Sequence, residues 1–236
     1  MELAEQILGS KVLAANLFKT DCEIHGSNVE ALLNGKCIVC YRGQQSKALA
    51  TEKRQDLLNR KSEMGIPTRF TDATCDNYVP NNDRSAKLLE FCKVYDFDTN
   101  VIMLGNTGNG KTHLGCAILD RAIAQKLTGF YVPFYRIAEI KIKSPDLFRK
   151  IIKCDLLIVD EYGVQESDFK SNLLYEVINE RYNNEVYTII ISNLSIDVFK
   201  KSIGDPLYSR LKSRVVVKSC NWDDYRLKDS KDAAFN

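Results

Sequence analysis

The stretch that decides the fold is Gly105-Asn106-Thr107-Gly108-Asn109-Gly110-Lys111-Thr112, which matches the pattern G-x-x-x-x-G-K-[ST]. An apolar run at 101–104 precedes it, and apolar residues at helical spacing follow it through 111–127. In that context the glycines let backbone N–H groups turn inward, where they and the helix N-terminus bind phosphate oxygens. We expect Lys111 to contact the β- and γ-phosphates of ATP, and Thr112 to bind Mg²⁺ through its hydroxyl. A tight glycine turn without a ligand is the alternative, but it gives no reason for Lys-Thr at this offset.

A second motif, Leu156-Leu157-Ile158-Val159-Asp160-Glu161, places two carboxylates at the end of an apolar strand. Ligand sites in open parallel sheets lie at the carboxyl ends of the strands. We therefore expect Asp160 to bind Mg²⁺ and its waters, and Glu161 to orient the water that attacks the γ-phosphate. An Asp-Glu pair that merely ends the strand is the alternative. A water-orienting carboxylate indicates an ATPase rather than a small-molecule kinase.

Strand-like and helical patterns alternate through the rest of this region. Strand-like runs occupy 130–134, 187–191 and 215–217, and helical patterns begin at Ser144, Ser167 and Asp205. Such alternation is typical of a parallel sheet covered by helices on both faces. The sequence therefore predicts an α/β ATPase domain over 64–236, with Gly65 and Pro67 marking the junction before it.

The first part of the chain carries Cys22 and His25, followed by Cys37 and Cys40. Each pair has the C-x₂ spacing of half a chelate, and two halves complete the tetrahedron that Zn²⁺ prefers. Four ligands leave no open position, so we predict a structural zinc that folds a segment too short for its own core. Three thiols and a histidine grouped by chance are the alternative. The predicted domain, 1–63, begins with a helical pattern at 3–18 and ends in a polar linker helix at 44–63 that binds a partner or connects the domains.

The composition limits the class of protein. Of the 236 residues, 44% are hydrophobic and 27% are charged, which is ordinary for a chain that buries a core. Apolar runs are far shorter than the about 20 residues of a membrane span, and the acidic N-terminus does not resemble a secretory signal. We therefore expect a cytoplasmic protein with no membrane partner, whose eight cysteines are thiols or metal ligands. Six basic and two acidic residues at 136–153 indicate a phosphate or nucleic-acid surface, or a solvated face.

These motifs and their order are similar to those of DnaC-type (DnaC/DnaI-like) replicative helicase loaders, a branch of the AAA+ ATPases. The resemblance covers about 64–228, and besides the two motifs it rests on Met64-Gly65-Ile66-Pro67, Cys75-Asp76-Asn77-Tyr78, 155–165 and Asn221-Trp222-Asp223-Asp224-Tyr225-Arg226. It implies an AAA+ P-loop core with a parallel sheet and no helical lid, because only ten residues follow Arg226. It also implies roles at the ATP site for Asn193 as sensor 1, Arg210 as an arginine finger toward a neighbouring subunit, and Arg226 as a sensor-2-like arginine. From the residues alone, the alternatives are that Asn193 forms a turn and that Arg210 is a solvated cation.

The resemblance implies ATP-dependent loading of a hexameric DnaB-type helicase onto single-stranded DNA in replication initiation, in a bacterial or phage-infected cell. The N-terminal domain would bind the helicase, the AAA+ ring would bind the single strand, and chains would self-assemble through their ATP sites. In related initiators an extra helix faces the channel at the position of 136–153, and the candidate contacts there are Lys141, Lys143, Arg149 and Lys150. Two other functions stay open: an IstB-like transposition helper ATPase, and a non-catalytic zinc adaptor switched by ATP. The Cys/His unit and 222–226 favour the loader over the first, and Glu161 argues against the second.

Overall fold

The computed structural model describes residues 18–31, 36–163, 168–212 and 214–222. The chain divides into two units between Asn59 and Arg60. The predicted domain boundary at 63/64 stays a prediction. Among the described residues, no helix combines the length and the apolar character that crossing a bilayer requires.

The first unit contains an antiparallel hairpin of β1 (Phe18–Cys22) and β2 (Gly26–Ala31). Gly26 turns the chain between them with φ +82°, a left-handed conformation that favours glycine. A bridge between Ala31 and Cys37 leads into α1 (Ile38–Glu63), which confirms the predicted polar helix and extends it toward the N-terminus. The hairpin itself was not predicted. Of the predicted helix at 3–18, residues 3–17 lie outside the described residues, and Phe18 begins β1.

The second unit is built on a parallel sheet with the strand order β4-β5-β6-β3-β7. Its strands are β3 (Asn100–Leu104), β4 (Gly129–Pro133), β5 (Leu156–Tyr162), β6 (Tyr187–Ser192) and β7 (Val215–Ser219). The central strands are almost entirely apolar because helices cover both faces of the sheet. β6 lies between β3 and β5, the two strands that lead into the predicted motifs. The residue that follows β6 is therefore delivered to the same edge of the sheet as both motifs.

Six helices cover the sheet in the described part of this unit. They are α2 (Asp83–Val94), α3 (Lys111–Ala124), α4 (Phe134–Lys143), α5 (Pro145–Lys153), α6 (Asp168–Asn183) and α7 (Ile196–Lys212). Val101 and Met103 pack with α2 and α3 in one apolar cluster, whereas Ile102 and Leu104 pack with α4 to α7 in the other. Alternate residues of a strand point to opposite faces, so each cluster fills one side of the sheet. The predicted α/β class is confirmed.

The predicted helix starts are reproduced unevenly. Gly204 breaks α7 with φ +71° and ψ 162°, so the helix restarts next to Asp205, as predicted. Ser144 occupies the position before α5, but its side chain makes no capping hydrogen bond. Ser167 lies outside the described residues, and helices α2 and α4 were not predicted.

Arg181 is a buried cation on α6, with 1% of its surface exposed. Its guanidinium donates to the carbonyl oxygens of Ile151 (3.1 Å), Ile152 (3.3 Å) and Cys154 (2.9 Å), where α5 ends. It also donates to the Thr188 hydroxyl at 2.9 Å and to a carbonyl of β6. Carbonyl groups at a helix C-terminus carry partial negative charge, so this contact ties the end of α5 to the sheet.

Candidate active site and metal centre

The predicted phosphate-binding loop connects β3 to α3. Gly105 (φ +140°), Gly108 (φ +73°) and Gly110 (φ +85°) all adopt conformations that favour glycine. Neighbouring atoms also leave no room for a side chain. A Cβ on Gly105 would lie 2.4 Å from the Cys220 carbonyl oxygen, and one on Gly110 would lie 2.6 Å from the ring of Tyr78.

Lys111 is folded back into the loop. Its ammonium donates to the carbonyl oxygens of Gly105 at 2.7 Å and Asn106 at 2.5 Å, and to Asn109 Oδ1 at 3.0 Å. The side chain is 5% exposed, so the positive charge lies within the concave face of the loop. A cation held there is placed to meet the negative charge of a polyphosphate.

The two predicted motifs meet at Asp160. The Thr112 hydroxyl donates to Asp160 Oδ2 at 2.8 Å. Thr112 lies in the first turn of α3, which follows β3, whereas Asp160 lies on β5, and β6 separates these two strands in the sheet. A hydroxyl and a carboxylate oxygen in contact are the kind of oxygen ligands that Mg²⁺ takes in nucleotide sites. The residues present therefore fit the predicted magnesium ion.

A third residue, Tyr131, also reaches this carboxylate. The Tyr131 hydroxyl donates to Asp160 Oδ2 at 2.7 Å. Burial, and then the charge of Asp160, raise the pKa of Tyr131 well above its usual range, so the hydroxyl stays protonated and acts as a donor. Tyr131 was not predicted from the sequence, because its contact with Asp160 depends on β4 lying beside β5, and no local motif indicates that strand order.

Glu161 adopts an unusual backbone conformation for a residue with a side chain, φ +59°. The pairing of β5 with β6 shifts register between Val159 and Tyr162, and the Glu161 N–H donates to Asp160 Oδ1 at 2.7 Å. Such a conformation costs about 1–3 kcal/mol and persists where the surroundings impose it. Asp160 is buried, and the neighbouring Glu161 is exposed.

A cavity of 490 Å³ opens above the loop, within the range of about 300–1,000 Å³ that is typical of ligand pockets. Asp160, Glu161 and Asn193 line it, together with the loop from Thr107 to Thr112. Asn193 reaches the cavity because β6 ends between the two motif strands. The other lining residues are Arg69, Phe70, Asn77, Tyr78, Val79, His113 and Ile191.

The segment after β7, from Cys220 to Trp222, contacts the phosphate-binding loop. The indole N–H of Trp222 donates to the Asn109 carbonyl at 3.0 Å, and the Asn109 amide donates to the Cys220 carbonyl. The Tyr78 hydroxyl approaches the same Asn109 carbonyl at 3.4 Å. These contacts place two residues from the stretches used for the family resemblance, Tyr78 and Trp222, beside the loop. Their role as its support was not predicted.

Arg210, one of the two predicted arginines, lies outside this arrangement. Arg210 donates to Asn179 Oδ1 at 2.8 Å and to the Pro206 carbonyl at 3.0 Å, with its guanidinium 4.8 Å from the centre of the Tyr175 ring. It is not among the described residues that line the cavity. Arg226 and the predicted absence of a lid after it lie outside the described residues.

The basic stretch at 136–153 is partly neutralised by ion pairs. Lys141 pairs with Glu176 at 2.5 Å, Lys143 with Glu139 at 2.9 Å, and Arg149 with Asp146. Ion pairs between exposed side chains are weak and exchange readily with other partners. The predicted contact of these cations with single-stranded DNA stays a prediction.

The four predicted zinc ligands lie together in the first unit, with their ligand atoms within 4.8 Å of one another. His25 Nδ1 lies 3.5 Å from Cys22 Sγ, 3.6 Å from Cys37 Sγ and 3.4 Å from Cys40 Sγ. Cys22 Sγ and Cys40 Sγ are 3.7 Å apart. A tetrahedral zinc with Zn–S of about 2.3 Å and Zn–N of about 2.0 Å has ligand–ligand edges of about 3.5–3.8 Å. The donor set therefore fits zinc in both type and spacing.

The thiols of this cluster differ in acidity. Hydrogen bonds from the backbone N–H groups of His25 and Ile24 lower the pKa of Cys22 to about 6. The pKa of Cys40 is raised to about 11, first by the side-chain hydrogen bond of Cys40 with Cys22 and then by burial. Neighbouring thiolates repel one another, and a bound divalent cation removes that conflict.

The family of the chain follows from a match over most of its length. Residues 44–233 match the family model described as IstB-like ATP binding protein. The chain belongs to this family. An IstB-like ATP-binding protein takes a nucleotide, with Mg²⁺ as its companion ion, which agrees with the geometry of the loop and Asp160.

Relatives and solved structures refine this assignment. This IstB-like chain is 26% identical over 219 residues to the replicative helicase loader DnaC of Escherichia coli (strain K12), covering 83% of this chain and 88% of that one. It is 28% identical over 180 residues to the insertion sequence IS5376 putative ATP-binding protein of Geobacillus stearothermophilus, covering 70% and 71%. A crystal structure of the DnaC helicase loader superposes with a TM-score of 0.58 at 21% identity, covering 65% of this chain and 99% of that one. The predicted AAA+ P-loop fold and the resemblance to DnaC-type loaders are confirmed.

Proposed function

We propose that this chain is an ATPase that loads a replicative DNA helicase onto single-stranded DNA. The observation that carries the proposal is the convergence of Thr112, Asp160, Glu161 and Asn193 on one nucleotide-sized cavity. The alignment with DnaC, a protein named as a replicative helicase loader, extends over most of both chains and favours this use of the ATP site. The first unit, which contains the zinc-ligand cluster, is assigned the contact with the helicase.

Bound ATP with Mg²⁺ supplies a γ-phosphate that water can attack. Lys111 and the amides of the loop bind the phosphates, and Thr112 and Asp160 hold the metal ion. Glu161, exposed at the cavity, orients the attacking water and accepts its proton. Asn193 donates its amide to the γ-phosphate or to that water.

Arg210 completes the site of a neighbouring subunit. In its own subunit it is bound to Asn179 and does not line the cavity, which supports a role between subunits. An arginine supplied in this way accelerates hydrolysis by about 10³–10⁵ in other nucleotide hydrolases. Self-assembly through the ATP sites then couples hydrolysis to release of the helicase, and Arg226 is assigned a sensor-2-like contact with the same nucleotide.

The test is co-purification of the full chain with a hexameric replicative helicase, with ATP and without it. We expect wild type and Glu161→Gln to retain the helicase with ATP, because the variant binds ATP but hydrolyses it far more slowly. Lys111→Ala should bind neither nucleotide nor, in an ATP-dependent manner, the helicase. Lys126→Ala, which removes a lysine after the end of α3 and outside the cavity, is the matched control. Helicase binding that is indifferent to ATP in all four proteins contradicts the proposal.

An IstB-like transposition helper is the second candidate, and the 28% identity to the IS5376 ATP-binding protein favours it. The same co-purification, with a transposase in place of the helicase, separates the two. Retention of the transposase alone assigns the chain to transposition. A zinc adaptor that uses ATP only as a switch predicts equal, near-zero turnover for wild type and Glu161→Gln.

A further inference from the structure

The Tyr131 hydroxyl is a buried polar group that no step of the proposed hydrolysis uses. Tyr131 lies on β4, which is one of the two edge strands of the sheet, and is 5% exposed. Its hydroxyl donates to Asp160 Oδ2 at 2.7 Å, the same oxygen that accepts from Thr112. Hydrogen bonds to a charged group are stronger than neutral ones, and a buried carboxylate that loses a donor is destabilised.

The three donors to Asp160 differ in what they do when Mg²⁺ binds. Thr112 is expected to turn its hydroxyl oxygen to the ion, and the Glu161 N–H holds only Oδ1. Tyr131 is then the side chain that fixes the rotation of the carboxylate. Groups that hydrogen-bond a metal-binding carboxylate from outside the coordination sphere commonly tune metal affinity.

The backbone of Tyr131 is tied to the linker that follows α1. The Tyr131 N–H donates to the Met64 carbonyl at 2.8 Å. A Cβ on Gly65, which has φ +79°, would lie 2.4 Å from the Tyr131 carbonyl oxygen. The last turn of α1 is anchored as well, because Lys61 contacts Asp120 at 2.6 Å. Tyr131 therefore contacts the linker through its backbone N–H and the Asp160 carboxylate through its hydroxyl.

We propose that Tyr131 is a positioning residue for Asp160, and that through it the linker at 64–66 sets the Mg²⁺ affinity of the nucleotide site. The inference rests on the proposed ATP site, to which it adds Tyr131 and a link between the linker and Mg²⁺ binding.

The test is a titration of free Mg²⁺ against binding of a fluorescent ATP analogue to the full chain. In Tyr131→Phe we expect the half-saturating Mg²⁺ concentration to rise about tenfold or more, while analogue affinity in EDTA is unchanged. Tyr95→Phe is the matched control, since its hydroxyl is also buried and donates to the Thr99 carbonyl at 2.5 Å, away from the cavity. It should shift the midpoint by no more than about twofold, as expected for a distant site.

The linker is tested by Gly65→Ala, which keeps the hydroxyl but crowds the Tyr131 carbonyl. It should raise the Mg²⁺ midpoint in the same direction, whereas Gly43→Ala, with no atom within 4 Å of the added carbon, should not. A Tyr131→Phe protein that folds and keeps the wild-type midpoint overturns the positioning role. A Gly65→Ala protein that folds and keeps it overturns the link to the linker. If wild type itself binds the analogue without regard to Mg²⁺, the proposed ATP site fails instead.

Discussion

Replacing the buried Arg181 by Met should lower the stability of the second unit strongly, while the folded protein still binds nucleotide. Methionine is also long and unbranched, so it fills much of the same space but donates no hydrogen bonds. The Cys154 and Tyr187 carbonyls and the Thr188 hydroxyl each lose a charged donor. A buried acceptor that loses its donor costs about 1–3 kcal/mol, and because several acceptors lose theirs together we expect about 3–5 kcal/mol for Arg181→Met.

The measurement is urea unfolding followed by the fluorescence of Trp222, which is the single tryptophan of the chain and 9% exposed. The midpoint should fall with little change in the slope, since the surface exposed on unfolding is similar. Arg121→Met is the control: Arg121 is partly buried and donates to two carbonyl oxygens, those of Cys92 and Tyr95. We expect about 1–2 kcal/mol for that change. A loss for Arg181→Met below about 1 kcal/mol, or equal to that of the control, refutes the assignment of Arg181 as the tie between α5 and the sheet.

Three further changes test the site and the metal centre. Freshly purified protein should contain one zinc ion per chain, as measured by metal analysis. Cys40→Ser should lose the zinc and unfold the hairpin, as measured by circular dichroism, while nucleotide binding persists. A wild-type protein without zinc refutes the metal assignment. Gly105→Ala should weaken ATP binding and change the Trp222 emission, because the added carbon displaces the Cys220 carbonyl; unchanged emission contradicts the contact. If the basic stretch at 136–153 binds DNA phosphates, Lys150→Ala, a change at an exposed residue, should lower the affinity for single-stranded DNA and reduce its salt dependence by about one counterion. Lys126→Ala is the control. An unchanged salt slope in Lys150→Ala excludes a phosphate contact at this residue.

The sequence was sufficient for those parts of the site that depend on local order. The loop, Asp160 and the four zinc ligands were each recognised from a short motif with a fixed spacing of residues. Tyr131 and Trp222 were missed because their contacts depend on strand order and on chain segments far apart in sequence. The hairpin around Cys22 and His25 was missed as well, since β1 and β2 are short, mostly polar and exposed, and give no apolar alternation. Helices α2 and α4 also escaped prediction, although Asn82 and Ser85 form a capping box that marks the start of α2.

The support of the loop by the segment after β7 has a consequence for how the protein matures. Residues 105–112 leave the ribosome long before Cys220 and Trp222, whose carbonyl and indole hold the loop in place. During synthesis a nascent chain therefore carries the complete nucleotide motif before the contacts of Cys220 and Trp222 can form. Full competence to bind ATP is expected only once residues 220–222 have been translated and have reached the loop.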